Sequence, residues 1–134
     1  MILDILTPLG PKRSATSIHA VEAPAYLGEI GILPGHVPFV SPIVPGVVRF
    51  REGEQSIRIA VGSGFLEVTE DGHVSILVDR ALEANEIDVS AVRSEHAELA
   101  ARLTSEHASL DDMAHLHLRE HKAWLDAQLR AAGS

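Results

Sequence analysis

The chain has 134 residues, 46% of them hydrophobic and only 4% aromatic, and a formal charge of -8. That length suits one domain of ordinary size, or a small domain with an appendage, and buries roughly two thirds of the unfolded surface, so no large enzyme fold fits. The acidic balance, shared between both parts of the chain, excludes a nucleic-acid backbone as partner, which needs a basic face, and the absence of cysteine excludes disulfides and thiolate metal sites.

The opening stretch, Met1-Ile2-Leu3-Asp4-Ile5-Leu6-Thr7-Pro8, alternates like a strand. It lacks the charged start and long apolar core of a secretory leader and the Arg-rich character of a transit segment. No apolar run approaches bilayer-spanning length, so direct membrane insertion is not expected and a role at a membrane requires other subunits to hold the chain there. From Met1 to about Ala84 the apolar residues fall in short runs separated by Pro, Gly and acidic turns, the pattern of an all-β sandwich or barrel. Gly28 to Pro38 reads as a rigid, shaped loop leading into a strand, because its Gly and Pro residues fix the backbone at defined positions. Taken alone, such a segment is also a well-made turn in any sandwich.

Further along, Ile57, Ile59 and Val61 alternate with Arg58 and Ala60, and Val74, Ile76 and Val78 alternate with Ser75 and Leu77, so each strand has one core face. Glu52-Gly53-Glu54 and Asp71-Gly72 supply the positive-φ positions of tight hairpins. The seven prolines, at positions 8, 11, 24, 34, 38, 42 and 45, favour edges, turns and strand starts. Ser63, within Gly62-Ser63-Gly64, lacks the spacing of a nucleophile elbow and is expected in a hairpin. Carboxylates are scattered singly, without the pairing that acid and base chemistry needs. No catalytic residue is expected.

After Asn85 the composition shifts to Ala, Leu, Glu, Arg and His and the period lengthens to that of a helix. Asp88 is placed to cap a first helix through about His107, with Val92, Leu99 and Leu103 on its apolar stripe and Val89 and Ala100 beside it. Ser109-Leu110-Asp111-Asp112 resembles a capping box, Asp112 reaching back to Ser109. A second helix then runs to about Ala131, with Leu118, Leu125 and Leu129 on one face, Leu110 and Met113 near it, and Gly133 to end it. Two short helices with alanine-rich stripes are marginal alone, so they must lean on the sandwich or on a partner. The predicted organisation is β followed by α: an N-terminal all-β sandwich over residues 1–84 and a C-terminal antiparallel two-helix hairpin over 85–134.

The chain holds eight histidines. His117 and His121 lie one helical turn apart with Glu120 adjacent, a spacing able to chelate zinc or nickel, while His115 points elsewhere. No third ligand is forced into range. The plainer account is a polar face that gains charge as pH falls through about 6.5.

Three blocks carry a family resemblance. Gly28-Glu29-Ile30-Gly31-Ile32-Leu33-Pro34-Gly35-His36-Val37-Pro38, Val44-Pro45-Gly46-Val47-Val48-Arg49-Phe50 and Val61-Gly62-Ser63-Gly64-Phe65-Leu66-Glu67-Val68 resemble the epsilon subunit of F-type ATP synthases. Val74 to Ala81 and Ile87-Asp88 extend the match to residues 28–90. Ala23-Pro24-Ala25-Tyr26-Leu27 departs from it, standing where the family usually has a Gly- and acid-rich run, and the chain's end matches in pattern only. The resemblance implies a non-catalytic central-stalk subunit that couples the gamma subunit to the rotor ring of c subunits. In that family the sandwich meets the ring through the equivalent of Gly28 and Glu29, and gamma through those of His36, Pro38, Phe39 and Val40.

The helical hairpin of the family can extend toward the alpha and beta subunits of the catalytic head and hold back ATP hydrolysis, which makes Arg119, Lys122 and Arg130 candidates for a beta-subunit contact. His115, His117 and His121 would add charge there as pH falls. ATP-binding members carry Ile/Leu-Asp-x-x-Arg-Ala where this chain has Ile87-Asp88-Val89-Ser90-Ala91-Val92. Arg93 comes two positions late, about 200° around a helix, and Glu98 stands at a second family arginine. With Ala91 and Glu98 at those places no nucleotide binding is expected, and no cofactor. The implied location is peripheral, on the cytoplasmic side of a bacterial plasma membrane. An alternative from another class is a stand-alone β-sandwich binding module with a His-rich tail that responds to metal or pH.

Overall fold

The computed structural model describes residues 1–105 and 112–133. Within them lie β1 (Ile2–Thr7), β2 (Gly10–Ser17), β3 (Val21–Ala25), β4 (Gly28–Ile32), β5 (Phe39–Ile43), β6 (Gly46–Glu52), β7 (Gln55–Val61), β8 (Gly64–Val68), β9 (His73–Val78) and β10 (Ala81–Glu83). A turn of 3-10 helix at Ala84–Glu86 leads into α1 (Val89–Ser105) and α2 (Asp112–Ala131). The strands pair in the order β10-β7-β6-β3-β5-β8-β9-β1-β2, with β4 on the other edge of β3. β3 joins the two layers of the sandwich. Its Val21 and Glu22 pair with Phe50 and Arg49 of β6, whereas Ala25 pairs with Ile43 of β5.

Period-two alternation fills the space between the layers. Leu3 and Ile5, Val48 and Phe50, Ile59 and Val61, Leu66 and Val68, and Val74, Ile76 and Val78 form one buried cluster. The tight turns fall at Gly53 and Gly72, both at positive φ. β1 lies parallel to β9, Leu3 opposite Val74 and Ile5 opposite Ile76, in a fold whose other pairings are antiparallel among the described residues.

Gly62-Ser63-Gly64 is not a hairpin. β7 pairs with β6 and β10, and β8 with β5 and β9, so the segment crosses from one layer to the other. It runs beside a second crossing at Val78–Ala81: Gly62 N–H donates to Arg80 O at 2.9 Å and Asp79 N–H to Ser63 O at 2.9 Å. Two backbones can approach this closely because glycine brings no Cβ.

Asp88 caps α1, its Oδ1 accepting the N–H of Ala91 at 3.1 Å. Val92, Leu99 and Leu103 meet Leu118, Leu125 and Leu129 across the helical seam, as the stripes predict. Met113 departs from that pattern, being 71% exposed. Ser109, Leu110 and the reciprocal contact to Asp112 lie outside the described residues, as does the end of the first helix near His107. α2 has a second face: Trp124, Ala127 and Ala131 pack on Val47 of β6 and Ala60 of β7, with Leu82 and Ile87 at the margin. Thus β6 around Val47 and β7 around Ala60 are buried on both sides, and the hairpin lies folded back against the sandwich.

Ion pairs tie the junction between strands and helices to β2. Lys12 Nζ lies 2.7 Å from Glu86 Oε1, and Arg13 reaches Glu83 at 2.6 Å and Glu52 at 3.0 Å. Burial works against the charge on Arg13, but Glu83 and Glu52 together outweigh it and raise its pKa. The Lys12 ammonium, then the Glu83 N–H, hold the Glu86 carboxyl below its ordinary 4.5. A carboxyl lowered in the folded state stabilises fully above its unfolded pKa and loses that contribution as pH falls through the folded one. Stability is therefore expected to decline below pH 4.5, and Lys12→Met to flatten that decline while costing about 0.5 kcal/mol at neutral pH. Urea midpoints measured from pH 7 to pH 3 check this; parallel profiles for the two proteins would refute it.

Candidate functional site

The residues singled out by the sequence fall in three places on the described surface. The first is the β3–β4 hairpin, where Val21–Ala25 pairs with Gly28–Ile32 around a turn at Tyr26 and Leu27. This corrects the sequence expectation of a loop throughout Gly28–Pro38. Ile32 is fully buried and Ile30 packs on the core, so alternation makes a strand in spite of two glycines. Its partner is the segment that departs from the family pattern, with Ala23 and Ala25 buried. Gly28 holds a φ of 131° at the turn, and Tyr26 and Leu27 are 68% and 94% exposed. Glu29 is half-exposed and accepts from Arg49 Nη1 at 3.1 Å, with Arg130 Nη2 of α2 at 4.0 Å.

The second place begins at the β4–β5 connection. Leu33-Pro34-Gly35-His36 closes a turn, His36 N–H donating to Leu33 O at 3.1 Å, with Gly35 at a φ of 83°. The His36 ring rests on Phe39, centroids 4.9 Å apart. Phe39 itself packs partly on the core, so of the four residues expected here His36, Pro38 and Val40 face outward while Phe39 supports them from beneath. Pro38 is exposed and Val40 is 63% exposed.

Next to Val40 the register assembles a surface that strand alternation alone did not reveal. Pro42 of β5 pairs with Phe65 of β8, Phe65 with Leu77 of β9, and Leu77 with Leu6 of β1. These four form one row across four adjacent strands, and all are exposed, Phe65 at 58% and Leu77 at 49%. The signal in the sequence was an apolar residue at positions where alternation calls for a polar one. The neighbouring row is polar: Glu67, Ser75 and Asp4, opposite Val40. Asp4 braces this edge, accepting the N–H of Ala15, a residue at positive φ, and pairing with His73. The Ala15 N–H, then the His73 ring, lower the Asp4 pKa.

The third place is the outer surface of the helices. Arg119 is exposed, Lys122 reaches Asp126 at 3.2 Å, and Arg130 lies toward Glu29. Two histidines bridge the helices: His96 Nε2 to Asp126 Oδ1 at 2.6 Å and His121 Nε2 to Glu95 Oε1 at 2.7 Å. His121 is thus engaged across the seam rather than with His117, which is exposed. Among the described residues no three His, Asp or Glu side chains are grouped to hold a metal ion. Ala91, at the third position of α1, serves the Asp88 cap, and Glu98 is exposed further along. Neither offers a cation to a phosphate.

Known proteins agree with this architecture. Residues 1–84 match the family model of the ATP synthase delta/epsilon chain, β-sandwich domain. The ATP synthase epsilon chain of Anoxybacillus flavithermus is 40% identical over 101 residues, covering 75% of this chain and 74% of the relative. That of Bacillus subtilis is 38% identical over 109 residues, covering 81% of each. In structure, the fold superposes with a TM-score of 0.84 on a chain of the Euglena gracilis mitochondrial ATP synthase, solved as its OSCP/F1/c-ring, at 23% identity and covering 100% of this chain and 81% of that one. The chain belongs to the ATP synthase delta/epsilon family.

Proposed function

We propose that this chain is a non-catalytic central-stalk subunit of a rotary F-type ATP synthase, coupling gamma to the rotor ring during ATP synthesis driven by an ion gradient. The observation that carries the proposal is the outward apolar row of Pro42, Phe65, Leu77 and Leu6, continuous with Val40 and the His36 turn. A monomeric chain gains nothing from aligning apolar side chains on a solvated sheet face, whereas a long-lived subunit interface does. Gamma is the partner assigned to this face, including His36, Pro38 and Val40, with Phe39 as support. The β3–β4 turn, with Gly28 and Glu29, is assigned to the rotor ring, Arg49 fixing the direction of the Glu29 carboxylate. Rigid strands carry both surfaces, which suits a part that transmits torque.

The hairpin is assigned a regulatory role on the alpha and beta subunits. In the folded-back arrangement Arg130 lies toward Glu29 of β4, so extension would release it to acidic groups on the beta subunit, where Lys122, whose partner Asp126 lies on the same helix, and the exposed Arg119 would join it. His121 must likewise leave Glu95 before it meets a partner. The subunit would sit peripherally at the cytoplasmic face of a bacterial plasma membrane. Family membership argues against a stand-alone binding module with a metal-responsive tail.

A double substitution tests the gamma face. Phe65→Ser with Leu77→Ser alters exposed positions, so the isolated chain should keep its stability within about 0.5 kcal/mol. Affinity for an assembly of alpha, beta and gamma should fall about 100-fold, since two large apolar side chains lose burial worth roughly 1.5 kcal/mol or more each. Unchanged co-purification with that assembly would sink the assignment.

A further inference from the structure

On the outer face of β6 and β7, beyond the end of α2, three arginines meet on two rungs of one ladder. Arg49 stands directly opposite Arg58, and Arg51 opposite Ser56. Like charges directly opposed across strands are destabilising, and the chain disposes of only one of them. Arg49 pairs with Glu29 at 3.1 Å and has Glu22 opposite it on β3. Arg51 donates to a neutral acceptor, the Glu54 carbonyl, at 2.9 Å. Arg58 has no hydrogen-bond acceptor and no acidic partner among the described residues, and its guanidinium lies against Gly133 at the end of α2. The field of the helix C-terminus attracts it without supplying a bond.

The three arginines line a groove of about 460 Å³ together with Ser56 and the carboxylate of Glu22. In a chain of net charge -8 this groove is unusual in carrying more arginines than carboxylates. We propose that this groove binds a phosphate group, borne either by a small soluble phosphate or by a phospholipid headgroup. A phosphate monoester offers three terminal oxygens and a diester two, enough to accept from the Arg51 and Arg58 forks, each of which can donate twice. A phosphate monoester carries about two negative charges at neutral pH where a carboxylate carries one, which suits a pair of guanidinium groups. The Ser56 hydroxyl stands beside the same position and adds a neutral donor. Two guanidinium groups without an acidic partner among the described residues, Arg51 and Arg58, suit a single phosphate rather than a nucleic-acid backbone, which needs an extended basic surface.

The test uses the full chain at low ionic strength, with amide chemical shifts as the readout. Pyrophosphate and inorganic phosphate probe the soluble source, and flotation with phosphatidylglycerol-containing vesicles, against phosphatidylcholine alone, probes the headgroup. Binding to either probe class should move amides of residues 49–58 and should weaken about ten-fold in Arg51→Ala and in Arg58→Ala, the loss of one charge-assisted bond. Arg93→Ala, which removes the same charge from an exposed position on α1, should bind as the parent does. Three results would overturn the proposal: no response to any phosphate probe, an equal loss in Arg93→Ala, or tighter binding of a tetraglutamate peptide at the same amides.

Discussion

Gly64→Ala is expected to destabilise the chain by about 3 kcal/mol, the upper end of the cost of overpacking a core. The side chain is minimal, but the space does not exist: a Cβ on Gly64 would fall inside the carbonyl oxygen of Leu77 and press on the backbone of Val78. Backbone cannot rotate away as a side-chain tip can, so β8 and β9 must separate where Gly64 faces Val78. That separation displaces Phe65 and Leu77, the centre of the outward row. Assembly with gamma should therefore weaken by more than the loss of folded protein accounts for. The control is Gly31→Ala in β4, where a Cβ meets nothing within 4 Å and φ is not positive. It should leave stability within about 0.5 kcal/mol. Thermal or urea unfolding of the two variants decides the matter, and equal midpoints would show that the crossing at residues 62–64 is not tightly closed.

Gly64 also marks the limit of what sequence could convey. Its neighbours Val61, Leu66 and Val68 announce strands by alternation, and the core contains them. Alternation is local, however, and pairing is not. Nothing in residues 2–6 points to residues 73–77 as a parallel partner, since that pairing depends on how the intervening chain closes. The same limit explains the Gly62–Gly64 crossing, where turn residues suggest a hairpin although the flanking strands belong to different layers. Gly28–Ile32 fails differently: its glycines mask a strand that Ile30 and Ile32 define. At the candidate surfaces the exposure of Pro38 and Val40 beside His36 follows from the shaped turn that precedes them. Phe65, Leu77 and Leu6 are apolar residues off the core face that only register makes a row. The arginine groove was hidden more completely, since Arg49 and Arg58 are nine positions apart and the net charge has the opposite sign.

On α2 the leucine stripe was clear and the face that docks on the sandwich was not, because the apolar residues of that face are Ala127, Ala131 and Trp124. Small residues let the helix approach β6 and β7 closely, which leaves Trp124 as the large apolar side chain that α2 brings to the contact, one turn from the buried Gln128. It is 6% exposed, and Arg80 stacks on its ring at 4.5 Å. Trp124→Ala should remove about 3 kcal/mol or more from docking, more than two alanines can supply. The hairpin should come away while the sandwich, whose core is separate, stays folded. Hydrogen exchange should then show lost protection in α1 and α2 with that of β1 and β9 retained, and Trp124→Phe should restore most of it. If the chain instead unfolds in one transition, hairpin and sandwich are a single cooperative unit and the proposed division of labour fails.

The function at stake gives this variant a distinctive sign. A hairpin released from the sandwich is free to extend, so in the assembled enzyme Trp124→Ala should deepen inhibition of ATP hydrolysis. Removing everything after Ala84 also uncovers Val47 and Ala60, yet it should relieve inhibition, because the element that would reach the beta subunit is gone. Two changes that expose the same sheet face are thus expected to act in opposite directions. A regulatory hairpin predicts that opposition; a hairpin that merely covers apolar surface predicts the same loss of function from both.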